Sequence, residues 1–192
     1  MAVALVLDFP GGTREQYDEV VRRMHLDGHM APGGRVHVAG RHADGWRVID
    51  VWESLAQYKR FRDEQIVPHV QAAGLPAPRV QMLEVDDAMD DDGRTPGFAQ
   101  RVVMPGLDRA AFRAVHHEVV PGGRRPEGLI FHVNGPFEGG WCVIDGWTSK
   151  EARGRFMERA RHVIAEAPLS GEPAIEELHV ETSLIGAAHA HA

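Results

Sequence analysis

Aligned with itself at a constant offset of 95 residues, this 192-residue chain repeats without a gap: between Ala4 and Val85, 23 of 82 positions match their counterparts. The match concentrates between His37 and Ser54, where 10 of 18 positions recur. There H-V-A-G-R-H-A-D-G-W-R-V-I-D-V-W-E-S returns as H-V-N-G-P-F-E-G-G-W-C-V-I-D-G-W-T-S. Two copies are too few for a solenoid, and each is longer than a usual solenoid repeat, so the chain reads as two copies of one small domain. Residues 1–85 form the first half and 98–185 the second, with 186–192 as a tail. Between the halves, D-D-A-M-D-D-D-G-R-T-P-G (86–97) has five Asp, two Gly and one Pro, and no aromatic or β-branched aliphatic residue. That composition predicts a solvated linker. It lacks the D-x-D-x-D-G order and the closing Glu of a calcium loop.

Each copy carries the same series of signals. In the first, the apolar run Val3 to Phe9, closed by Pro10-Gly11, predicts a strand. Thr13-x-x-Gln16 is a capping-box pattern opening a helix, with Tyr17, Val20, Val21 and Met24 on one face. Gly28 to Gly34 breaks that helix, and Arg35 to Gly40 and Trp46 to Trp52 predict a hairpin. Ser54-x-x-Gln57 opens a second helix that must end or kink before Pro68, and Val80 to Val85 is a last strand. The second copy repeats the order with Asp108 and Thr148 or Ser149 as caps, and Phe112, Val115, Val119 and Phe156 as the helical core face. The plan β-α-β-β-α-β is ferredoxin-like, an α+β sheet carrying both helices on one face. Trp46, Val48 and Trp52 point one way from the hairpin strand, and Ile49 and Val51 the other. Burial on both faces is what a second copy stacked sheet against sheet would supply, so one chain is expected to form its own pseudo-dimer.

The run G-W-R-V-I-D-V-W-E-S followed by Phe61, and its echo G-W-C-V-I-D-G-W-T-S followed by Phe156, resembles the dimeric α+β barrel superfamily. Within it the chain looks closest to small proteins grouped with antibiotic biosynthesis monooxygenases. The resemblance implies tandem repeats closed into an intramolecular α+β barrel. It also implies a pocket between sheet and helices in which the family's chemistry varies: cofactor-independent oxygenases acting on polycyclic aromatics, haem-degrading enzymes, and other small-molecule enzymes. A shared fold does not choose among them.

Composition narrows the partners. With 21 Lys+Arg against 28 Asp+Glu the formal charge is −7, and no basic run offers to neutralise a nucleic-acid backbone. The single cysteine, Cys142, excludes an internal disulfide and any Cys-cluster zinc site. It replaces Arg47 and is expected to be a buried, inert thiol. Val3 to Leu7 is too short for a signal h-region or a membrane span, so a cytoplasmic protein with no membrane partner is expected. A homodimer of whole chains stays open. There is no G-x-S-x-G, P-loop or G-x-G-x-x-G, so acyl-serine and nucleotide chemistries lack their usual signals.

Residues shared by both copies are explained first by the fold. Trp46/Trp141 and Trp52/Trp147 read as core aromatics, Asp50/Asp145 as carboxylates that must be hydrogen-bonded or titrate high, and His37/His132 as half-buried strand histidines. Residues that differ are where one pocket can specialise. Asn134 replaces Ala39 two residues after His132, and His116 replaces Val21 on the apolar side of its helix. His116, His132, Asn134, Trp141 and Asp145 therefore gather about one predicted cavity, against His37, Trp46 and Asp50 in the other copy. Together with the resemblance, this predicts cofactor-independent oxygenation of a phenolic or polyketide-like aromatic. His132 or His116 would take the proton, Asn134 would hold the oxyanion and Trp141 would pack on the rings; Asp145 is counted with the catalytic residues, and His37, Trp46 and Asp50 as substrate-binding in the first pocket. A cyclase or isomerase uses the same groups, and a non-catalytic binding or regulatory protein is the distant alternative. Metal readings are weaker: His25-x-x-x-His29 has i,i+4 spacing but contains Gly28, and His116-His117 diverge. For haem, His69 and His162 are conceivable axial ligands without counterparts in the other copy.

Overall fold

β1 (Val3–Phe9) is buried along nearly its whole length, and the turn after it leads into α1 (Arg14–Arg23). Thr13 caps α1 reciprocally: its hydroxyl accepts from the Gln16 N–H, and the Gln16 Oε1 accepts from the Thr13 N–H. β2 (Gly34–His42) and β3 (Gly45–Trp52) form the hairpin. Ser54 caps α2 (Leu55–Phe61), but the Gln57 side chain turns to the Ser54 hydroxyl and Glu53, leaving the second capping box open on one side. A π-helical turn, Arg62–Ile66, joins α2 to α3 (Val67–Ala72) just ahead of Pro68. The Val67 N–H reaches back five residues to the Arg62 carbonyl, so the helix shifts register ahead of Pro68, which has no N–H to donate, instead of ending. β4 (Arg79–Glu84) follows.

The second copy runs β5 (Asp87–Met89), β6 (Phe98–Pro105), α4 (Arg109–Val119), a 3-10 turn, β7 (Leu129–Phe137), β8 (Gly140–Trp147), α5 (Lys150–Ala165), β9 (Ala174–His179) and β10 (Thr182–Ile185). Asp108 caps α4 and Ser149, not Thr148, caps α5. This computed structural model describes residues 1–89 and 93–186, and the chain divides into two units. One is Met1–Met82 with the chain from Leu178 onward; the other is Leu83–Glu177. Their sheets have equivalent strand orders, β10-β2-β3-β1-β4 and β5-β7-β8-β6-β9, which is the ferredoxin-like α+β plan with a fifth strand added to each. No helix among the described residues is long and apolar enough to cross a membrane.

The fifth strands correct the reading of 86–97 as a solvated linker. β5 pairs Asp87 with Asn134 and Met89 with His132. β10 repeats this at the same offset, with Thr182 against Ala39 and Leu184 against His37. A ladder of main-chain bonds does not need β-branched side chains. The approach to β5 is held by the Asp86 N–H on the Asn134 carbonyl and by ion pairs from Arg109 and Arg113 to the Asp86 carboxylate. Asp90–Asp92, the rest of the acidic run, and the tail segment Ala187–Ala192 lie outside the described residues.

Two glycine positions show how closely the backbone packs. A Cβ on Gly40 would lie 2.2 Å from the His179 carbonyl oxygen, and on Gly135 2.0 Å from that of Glu84. Both copies therefore keep glycine where β2 or β7 meets the chain leading to its fifth strand. At Gly146 a Cβ would sit 2.1 Å from the Phe131 ring, its partner across the ladder. The first copy fills the same space with Val36 opposite Val51. Gly146→Val alone is therefore expected to destabilise the second unit by about 3 kcal/mol through overpacking. Phe131→Val in the same chain should recover most of it. Urea unfolding of the single and double variants decides, and equal losses in both would count against this packing.

β3 is buried on both faces, as predicted. Trp46, Val48 and Trp52 join a core with Tyr17, Val20, Tyr58 and Val70 from the helices. On the opposite face Arg47 is 3% exposed, and its guanidinium makes two bonds to the Asp8 carboxylate, at 2.6 and 2.8 Å. In the second copy those positions are Cys142 and Val103. Cys142 is buried and its thiol is pushed up to about 11 by desolvation, which keeps it protonated and unreactive at neutral pH.

Candidate functional site

In the second unit, the face of β6, β7 and β8 that carries Gln100, His132 and Asp145 meets α4 and α5 around a cavity of about 140 Å³. Its walls are mostly apolar, with Met89, Phe112, Trp147 and Phe156 among them, and its polar lining is Gln100, His116, His132, Asp145 and Arg153. Alternation along the strands sets this: His132 on β7 and Asp145 on β8 are direct cross-strand partners, so their side chains leave the same face together.

These polar groups form one hydrogen-bonded relay. Arg153 Nε donates to Gln100 Oε1 at 2.9 Å, and Gln100 Nε2 donates to one Asp145 oxygen at 3.1 Å. The other Asp145 oxygen takes the His132 Nδ1–H at 2.6 Å. His132 Nε2 is then an acceptor, and Asn134 Nδ2 fills it at 3.0 Å. The Asn134 amide cannot be the other way round, because the Trp141 indole N–H can only donate and reaches Oδ1 at 3.0 Å. The second Asn134 N–H points to the Asp87 carbonyl at 3.3 Å. His132 is thereby held as its Nδ1–H tautomer.

His116 stands apart from the relay. Its ring stacks on His132 with centroids 5.3 Å apart and on Phe112 at 5.5 Å. Neither ring nitrogen has a hydrogen-bond partner among the described residues. Burial holds its pKa below the ordinary histidine value, so at neutral pH the imidazole is uncharged with a free lone pair. His117, the next residue, is exposed.

Of the sequence candidates in the second copy, His116, His132 and Asp145 line the cavity; Asn134 and Trp141 do not. Asn134 is 1% exposed, and its oxygen and both N–H groups are committed, so it has no donor left for an oxyanion. Trp141 packs on Phe112 behind the wall, and the aromatic surface predicted for it is supplied by Trp147, Phe112 and Phe156. Gln100 and Arg153 were not singled out by the sequence reading. Their signal lay in the same comparison of copies, as polar replacements of Leu5 and Tyr58.

The first unit has a smaller cavity, about 70 Å³, lined by Tyr17, His37, Asp50, Trp52 and Leu184 among others. Here His37 Nδ1 donates to Asp50 at 2.7 Å, and Tyr17, where the second copy has Phe112, occupies Nε2 at 2.6 Å. Burial, with the Asp50 carboxylate, raises the Tyr17 pKa far above its ordinary value, so the phenol keeps its proton and donates it. Trp46 packs on Tyr17 off the cavity wall, and its indole N–H lacks the partner that Asn134 gives Trp141.

The metal and haem candidates fall elsewhere. α1 ends at Arg23, so His25 and His29 do not share a helix face, and both are exposed. His69 and His162 line neither cavity. Among the described residues no three His, Cys, Asp or Glu side chains gather in a metal-holding group.

Neither a protein-family model nor a curated protein matches the chain. Solved structures do. A candidate monooxygenase from Fusobacterium nucleatum subsp. nucleatum ATCC 25586 superposes with a TM-score of 0.73 at 12% identity, over 96% of this chain and 94% of that one. A second candidate monooxygenase, from Lactobacillus acidophilus NCFM, gives 0.68 at 13% identity over 96% of each chain. An anthrone oxidase-like protein gives 0.50 at 16%, over 97% of this chain and 94% of that one. At such identities the likeness shows the fold alone, the ferredoxin-like α+β architecture.

Proposed function

We propose that the cavity of the second unit is the working site of a small-molecule enzyme that oxygenates a phenolic aromatic without a resident cofactor. The observation that carries this is His116, a neutral, unbonded imidazole on an apolar wall beside a fully bonded relay. It can take a phenolic proton where water is scarce, and an apolar pocket makes the resulting anion a strong reductant towards dioxygen. The ring carbon of that anion bonds to dioxygen. The peroxide takes back the proton held by His116; the O–O bond then breaks as the same ring carbon gives up its hydrogen, so one oxygen atom remains on the ring as a carbonyl and the other leaves as water. The monooxygenase and anthrone oxidase-like names of the structural neighbours support the same chemistry.

Size narrows the substrate. The cavity is close to the roughly 150 Å³ of an apolar cavity known to hold benzene, so it suits a phenol of one ring, whereas a polycyclic one would have to push the wall apart. The test is oxygen uptake by the full chain with a panel graded by ring number, from hydroquinones and monophenols to hydroxyanthrones. Uptake with matching water formation is expected for the one-ring members. Saturable binding of the panel with no uptake would overturn the oxygenase reading in favour of a binding protein.

A further inference from the structure

Arg153 is the one Lys or Arg on the wall of the second cavity among the described residues. Its Nε is spent on Gln100, but both Nη groups lack a protein partner among the described residues. The nearby carboxylate does not neutralise it directly: the Asp145 oxygens are taken by Gln100 and His132. A guanidinium is a rigid fork of N–H donors that matches a carboxylate two bonds at a time. With Nε anchored, the remaining edge is pre-oriented. The first cavity is the internal contrast, since Tyr58 and Leu5 stand at the positions of Arg153 and Gln100 and no Lys or Arg lines it.

We infer that the second cavity takes a one-ring aromatic carboxylate, its acid group held by Arg153 and its ring among Phe112, Trp147 and Phe156. Gln100 is a positioning residue that fixes the guanidinium. The inference rests on reading this cavity as the working site, and it is tested by binding instead of turnover. A chain that binds the acid but consumes no oxygen sinks the oxygenase reading and leaves this one standing.

The experiment titrates the full chain with benzoate and 4-hydroxybenzoate, and with their neutral isosteres benzamide and 4-hydroxybenzamide, by calorimetry at neutral pH. The acids are expected to bind about tenfold or more tightly than the amides, the range of a charge-assisted pair of hydrogen bonds. Arg153→Gln should remove that preference and leave amide binding within about twofold. Arg153→Lys, which keeps the charge without the fork, should retain part of it. Gln100→Leu, the first copy's residue, keeps the guanidinium but frees it from its anchor, and should narrow the preference for the acids without abolishing it. Acids no tighter than amides in the unmodified chain, a preference that survives Arg153→Gln, or an Arg153→Gln loss that falls equally on acids and amides would each overturn the inference.

Discussion

His116→Ala should lower oxygen uptake with an accepted phenol by about 10²–10⁴-fold, the usual cost of removing a positioned base. The fold should survive, since the first copy places Val21 at this position on the same helical face. The pH profile separates a base from a packing residue. Burial disfavours the charged imidazolium, so the folded-state pKa lies below 6.5, the ordinary value, and the base form persists as the solution is acidified. kcat/KM should therefore stay level on going below pH 6.5 and fall only lower, through the depressed pKa. His116→Ala should erase that limb as well as the rate. A limb at the ordinary histidine value, or one unchanged in the variant, would remove His116 from the reaction.

Asn134→Ala, although it only restores the first copy's residue, is expected to cost the second unit about 3–5 kcal/mol, because it strands two buried polar groups at once. The Trp141 indole N–H and His132 Nε2 both lose their partner, whereas the carbonyl of exposed Asp87 can turn to water. The first unit tolerates Ala39 because Tyr17 occupies His37 Nε2; among the described residues the Trp46 N–H is left without a partner there. Phe112→Tyr added to Asn134→Ala should accordingly restore about 1–2 kcal/mol by bringing a phenolic O–H to His132. The two variants can be compared on the second unit's urea transition. If the double variant is no more stable than the single one, Asn134 is not serving as the counterpart of Tyr17.

The difference between what was legible and what was not lies in the range of the interactions. Thr13, Asp108 and Ser149 each satisfy backbone donors three residues away, so their roles are local and visible in sequence. β3 and β8 announce themselves by apolar residues on both faces. β5 could not, because its strand character comes from Asn134 and His132, whose segment is far away in sequence, and of its side chains only Met89 offers much apolar surface. The site divides similarly. Comparing the copies exposed His116 and Asn134 as polar replacements of Val21 and Ala39, and Gln100 and Arg153 carried an equal signal that needed only to be read. What no comparison of residues could supply was direction. Asn134 is committed because the Trp141 indole reaches it from the neighbouring strand, and His116 is free because no side chain among the described residues does. Which of the two polar residues is committed and which is left unbonded is thus set by geometry across β7, β8 and α4.

The fifth strands also dictate an order of events during synthesis. Leu83–Glu177 is continuous and already contains β5, so the second unit can close as soon as its last strand has left the ribosome. The first unit cannot, although its repeat is made earlier: β2 remains a sheet edge, and Leu184 is missing from the cavity wall, until Thr182–Ile185 emerges. At translation rates of about 5–20 residues per second, that edge waits several seconds for its partner while the following repeat is being built. The half synthesised first is therefore the half completed last. A chain stopped between the two repeats would expose an unpaired β2, with strands from other unfinished chains as its nearest substitutes.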